Sequence, residues 1–158
     1  MPTDSWATTA GVRRSMLANR SKDTGPERRL RSELHRLGLR FRKDRAVHAG
    51  EVRTRPDVIF TRARVAVFLD GCFWHRCPLH GTDPKANSDY WRPKLDRNVC
   101  RDRLVDAALA ADGWLVIRVW EHETPAAAAA RIAAQVEARR PAPPAVERSR
   151  SRLLSTPA

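Results

Sequence analysis

The chain is predicted to fold as an α/β domain that carries a metal-binding loop, and three observations carry this. Short apolar, β-branched runs alternate with segments of helical periodicity. The longest of those runs, 65–69, ends on Asp70-Gly71 and opens at once into Cys72-Phe73-Trp74-His75-Arg76-Cys77-Pro78-Leu79-His80. Finally, 158 residues at 42% apolar composition suffice for one hydrophobic core.

The elements follow in order. Thr24-Gly25-Pro26-Glu27 has capping-box spacing, and Leu30, Leu34 and Leu37 then recur at helical intervals up to Gly38. Residues 39–42 alternate apolar and basic, 56–61 include Val58, Ile59 and Phe60, and 65–69 are continuously apolar, so each is read as a strand. The segment from Gly71 to about Pro93 lacks regular periodicity. A second helix spans 94–112, with Leu95, Val99, Leu104, Ala108 and Leu109 apolar and Gly113 as its stop. Residues 114–120 form a fourth strand, and Thr124-Pro125 opens an Ala-rich helix to about 139. The predicted order is α-β-β-β-α-β-α. Residues 1–20 read as a flexible basic arm, 21–140 as the folded domain, and 141–158, rich in Pro, Ser and Arg, as a disordered tail.

Charge narrows the partner. Thirty Lys and Arg against 18 Asp and Glu leave a net +12, which favours a polyanion such as nucleic acid over an acidic or neutral surface. No apolar run approaches the ~20 residues needed to span a bilayer, and residues 1–20 hold no continuous apolar segment of signal type, so a cytoplasmic location is expected. In that reducing compartment, cysteines interspersed with histidines read as metal ligands or free thiols before disulfides.

Two constellations bear chemistry. Cys72, Cys77 and His80 have a spacing that lets three ligands converge on a tetrahedral Zn²⁺ from one tight loop, the fourth ligand coming from elsewhere. Asp57 opens one strand and Asp70 closes the next after a turn around 62–64. Antiparallel neighbours joined this way bring both carboxylates to one end of the sheet, where oxygen ligands hold Mg²⁺. Taken singly, each Asp reads equally well as a turn residue. Together, beside the cysteine cluster, they read as a site.

Pro56-Asp57, the Leu69-Asp70-Gly71-Cys72-Phe73-Trp74-His75 block, Asn98-Val99-Cys100-Arg101-Asp102, and Gly113-Trp114 with Trp120-Glu121-His122 closely resemble the very-short-patch repair (Vsr) DNA mismatch endonucleases. The resemblance covers roughly residues 13–125 and is most specific in Gly71 to His75. It implies a restriction-endonuclease-like (PD-(D/E)xK) core, with a mixed central sheet flanked by helices and a zinc-binding loop. It further implies that Asp57 and the Leu69 backbone carbonyl hold the catalytic metal, that His75 is the general base, and that Asp102 and Glu27 support the site. The family places a ligand after Trp-Glu at the end of the last strand, which makes His122 the fourth zinc ligand, with Cys100 as competitor. Phe73, Trp74 and Trp91 resemble the family's DNA-inserting wedge, and Met16 an opposing one. Two departures stand out: the acid-x-Lys ending common in this fold is here Asp70-Gly71-Cys72, and the best-known member has a histidine where Asp70 stands. Asp70 is therefore expected as an additional metal ligand.

The expected activity is Mg²⁺-dependent nicking of one strand at T:G mismatches, which arise when 5-methylcytosine deaminates, by a monomer associated with the bacterial nucleoid and with mismatch-repair proteins as candidate partners. A same-fold endonuclease of looser specificity in restriction or defence is the alternative within the enzyme class. A zinc-stabilised DNA-binding module that does not cut is the alternative outside it.

Overall fold

A computed structural model of the chain describes residues 23–141. The basic arm with Met16, and the tail beyond Pro141, lie outside the described residues. The order is α1 (Gly25–Arg36), β1 (Val47–Ala49), β2 (Val52–Thr54), β3 (Val58–Phe60), β4 (Val65–Asp70), α2 (Ser88–Ala111), β5 (Leu115–Trp120) and α3 (Pro125–Ala138).

The central sheet has strand order β3-β4-β5, with β3 antiparallel and β5 parallel to β4. A short turn joins β3 to β4, whereas the parallel pair needs a crossover, supplied by the cysteine loop and α2. Alternation along each strand then assigns two faces. Val58, Phe60, Val65, Val67, Ile117 and Val119 pack with Leu30 and Leu34 of α1 and with Ala128, Ala129, Ile132 and Val136 of α3. Ile59 and Ala66 face the other way, onto Leu109 of α2 and onto Val47 and Ala49. A mixed sheet with helices on both sides is what the sequence reading expected.

Three boundaries differ from that reading. Residues 39–42 form no strand: Leu39 is buried in the core, and Arg42 alone exchanges both backbone hydrogen bonds with Ile59, at 2.9 Å each. A hairpin, β1 with β2, was not expected. Gly50, at φ +57°, makes the first residue of its two-residue loop, a backbone region closed to most side chains, and Val47 and Ala49 supply its buried face. Helix α2 begins at Ser88, six residues before its predicted start, and passes through Pro93. Proline costs a helix one backbone bond; here the turn before it is packed, with Trp91 buried against neighbouring rings. Among the described residues no helix is long and apolar enough to cross a membrane.

Candidate active site and metal centre

Both constellations sit at the carboxyl end of β4, where the β4–β5 register sets Asp70 opposite Trp120 and so brings Glu121 and His122 beside Cys72. Asp57, just before β3, reaches the same end. Its amide donates to the Val67 carbonyl at 3.0 Å, and its Oδ2 accepts from the Leu69 amide at 2.7 Å. Burial raises the Asp57 carboxyl from 3.8 to about 6; the Leu69 N–H opposes the shift, and the nearby Glu27 and Asp70 carboxylates add to it. An anion so disfavoured is one that a cation would stabilise.

Glu27 arrives there through helix capping. The Thr24 hydroxyl accepts from the Glu27 amide at 3.4 Å and donates to Glu27 Oε1 at 3.0 Å, while Glu27 Oε2 accepts from the Asp23 amide at 2.9 Å. The capping box that starts α1 therefore also sets a buried carboxylate near Asp57.

His75 lies in the first turn after β4, and its Nδ1 is 2.5 Å from Oδ2 of Asp102 on α2. A carboxylate on Nδ1 favours the tautomer that carries the proton there, leaving Nε2 as the basic nitrogen. Asp70 is 3% exposed, and burial raises its carboxyl above the usual range although His75 and Arg118 pull it down. Both of its oxygens accept from Nη1 of Arg118 at 3.0 Å. The carboxylate expected as an additional metal ligand is thus already engaged by a guanidinium.

The four expected zinc ligands converge. Donor atoms of Cys72, Cys77, His80 and His122 all lie within 4.8 Å of one another. Nδ1 of His122 is 3.1 Å from Cys72 Sγ and 3.7 Å from Cys77 Sγ, and the rings of His80 and His122 are 4.2 Å apart between centroids. Cys100 is exposed on α2 and outside this group. Two thiols and two imidazoles are a donor set that suits a tetrahedral Zn²⁺ and leaves no open position. Burial, with the Cys77 thiol and the Glu121 carboxylate close by, pushes the Cys72 thiol up to about 11, so a Cys72 thiolate would be favoured by a bound cation. Loop geometry is tight as well: a Cβ on Gly81 would lie 2.5 Å from the Cys77 carbonyl oxygen, which accepts the Gly81 amide at 2.7 Å.

The aromatic residues form one cluster. Phe73 stacks edge-on to Trp74 at 5.2 Å and to Trp91 at 5.8 Å, with Trp74 and Trp91 5.7 Å apart. Phe73 and Trp74 are half-buried, whereas Trp91 is 6% exposed, its indole packed against the other two rings. Tyr90, 47% exposed beside it, and Lys94, whose Nζ lies 5.3–5.9 Å from the Trp91, Tyr90 and Trp74 rings, were missed by the sequence reading. So was Arg118, although a lone charge in the apolar run Leu115-Val116-Ile117-Arg118-Val119-Trp120 was a visible signal.

The family model described as DNA mismatch endonuclease Vsr matches residues 5–80. The chain is 56% identical over 115 residues to the type II nicking enzyme V.NaeI of Lentzea aerocolonigenes, covering 72% of this chain and 69% of that one. It is 45% identical over 106 residues to the type II nicking enzyme V.XorIIP of Xanthomonas oryzae pv. oryzae, covering 66% and 74%. To the DNA mismatch endonuclease Vsr of Escherichia coli K12 it is 38% identical over 110 residues, covering 68% and 67%.

Proposed function

Because the chain belongs to the Vsr family of DNA mismatch endonucleases, we propose that it nicks one strand of duplex DNA beside a T:G mismatch, using Mg²⁺ at Asp57 and a structural Zn²⁺ in the cysteine loop. That it is a DNA endonuclease follows from the family. The metals, the mismatch and the residue roles are the proposal.

The observation that carries it is the His75–Asp102 contact at 2.5 Å, at the same strand end as the desolvated Asp57. Asp102 orients the imidazole, and Nε2 takes the proton from the water that attacks the phosphodiester. The Asp57 carboxylate and the Leu69 carbonyl would hold Mg²⁺, which when bound neutralises charge growing on the phosphate and on the leaving oxygen. Glu27 places a second carboxylate charge near Asp57. Cys72, Cys77, His80 and His122 would hold zinc and pin the loop that carries His75.

Half-buried Phe73 and Trp74 support the mismatch reading. Opening a base step costs a few kcal/mol and costs least where pairing is already poor. A net charge of +12 supplies sequence-independent affinity for the phosphates. The second reading, nicking with looser mismatch demand, is favoured by the 56% identity to a type II nicking enzyme.

A panel of matched and singly mismatched duplexes with Mg²⁺, mapped at nucleotide resolution, tests this. One nick confined to T:G duplexes is expected. Equal cleavage of matched DNA would favour the second reading, and no cleavage of any duplex would leave only a binding module.

A further inference from the structure

Arg118 stands in the middle of β5, directly opposite Phe68 in the parallel register, and its guanidinium lies 4.7 Å from the centre of that ring. Its side chain is 19% exposed. A charge there is costly unless it is compensated, and the compensation is specific. Nη1 donates to both Asp70 oxygens at 3.0 Å; Nε donates to both Asp106 oxygens at 3.1 Å, and Nη2 to Asp106 Oδ1 at 2.7 Å. Burial works against the charge, but the bonds to Asp106 and Asp70 outweigh it and keep the guanidinium ionised.

The same group reaches the His75 pair. Nη1 is 3.6 Å from Asp102 Oδ1, and Nη2 is 3.5 Å from the Asp102 carbonyl oxygen, while Oδ2 of that carboxylate faces His75. Asp102 and Asp106 are one turn apart on α2, so a single cation anchors two like charges that otherwise repel. Two carboxylates also stand near Nδ1 of His75: Asp102 at 2.5 Å and Asp70 at 3.9 Å. Arg118 occupies both oxygens of Asp70, which leaves the imidazole to Asp102.

We propose that Arg118 is a positioning residue for nicking: by clamping Asp70 and Asp106 it holds Asp102 against His75 and decides which carboxylate orients the imidazole. Its role is one of support, exerted on His75 through Asp102, which Nη1 reaches at 3.6 Å. The inference rests on the reading of His75 and Asp102 given under Proposed function, and the test separates the two.

Zinc-loaded full-length protein would be assayed by single-turnover nicking of a T:G duplex with enzyme in excess, alongside duplex Kd and thermal melting. Arg118→Lys keeps the charge but loses the fork, and should slow nicking about tenfold to hundredfold, as for other supporting contacts, with Kd within about twofold. Asp70→Asn with Arg118→Met removes the ion pair without stranding a buried carboxylate and should be at least as slow. In an Asp102→Ala background, Arg118→Lys should add no further loss, because its effect passes through Asp102. Full multiplication of the two losses, or wild-type nicking by Arg118→Lys, would overturn the inference. If the double variant does not fold, Asp106→Asn replaces it, since that side chain is 39% exposed; slowed nicking at unchanged melting supports the clamp, and unchanged nicking contradicts it. Wild-type nicking by Asp102→Ala would instead overturn the active-site reading itself.

Discussion

Asp57→Asn removes a charge from a site that disfavours it while preserving the shape of the side chain and an oxygen to accept from the Leu69 amide, 2.7 Å away in the native protein. A carboxyl moved from 3.8 to about 6 is penalised as an anion by about 3 kcal/mol in the folded state. Relaxation of the pocket brings the expected gain nearer 1–3 kcal/mol, or roughly 4 °C in Tm per kcal/mol. The sign follows from proton linkage. Between about pH 4 and 6 the folded protein holds a proton that the unfolded chain has released, so wild-type stability falls as pH rises through that window. Above 6 the whole penalty is present, and below about 4 it is gone. In Mg²⁺-free, zinc-replete buffer, the variant should therefore melt with the wild type at pH 4 and several degrees above it at pH 7, while nicking is abolished. Millimolar Mg²⁺ should narrow the gap at pH 7 by binding only the wild-type carboxylate. Melting curves at both pH values, with and without Mg²⁺, decide the matter. A variant less stable than wild type at pH 7, or a gap of equal size at pH 4, would refute the reasoning.

His75→Ala should lower the single-turnover nicking rate by about 10²-fold or more with duplex Kd nearly unchanged; concurrent loss of zinc would reassign the residue to the metal. Metal analysis should give about one Zn per chain; His122→Ala should lose it and melt earlier, because structural zinc contributes folding free energy, whereas Cys100→Ala should retain both metal and Tm. Trp74→Ala should reduce the preference for T:G over matched duplex more than total binding at low salt. Equal weakening on both duplexes would make Trp74 a general contact.

What was legible in the sequence is what local physics encodes. Thr24 and Glu27 are three residues apart, and their reciprocal hydrogen bonds need only the first turn of α1. The period-two burial of β5, the leucine spacing of α1 and the tight Cys72-Cys77-His80 loop are likewise short-range patterns. Pro93 misled because a proline ordinarily marks a helix boundary, whereas here the turn before it is secured by ring packing that no local rule describes. The β1–β2 hairpin was hidden by its length: three residues a side leave too little alternation to read, although Gly50 marked its turn.

Residue types capable of metal binding, proton transfer and DNA contact were thus determined by the sequence itself, together with the strands and helices that carry them. Which of them meet was decided by the crossover through α2 that makes β4 and β5 parallel neighbours. That pairing brings His122 to Cys72 across 50 positions and Arg118 to Asp70 across 48. It also gives Asp70 to a guanidinium, and it buries Trp91 beneath the rings with which it was grouped. Contacts of that range depend on how the sheet is assembled and on which face each side chain takes, and neither is encoded in the spacing of the residues that meet.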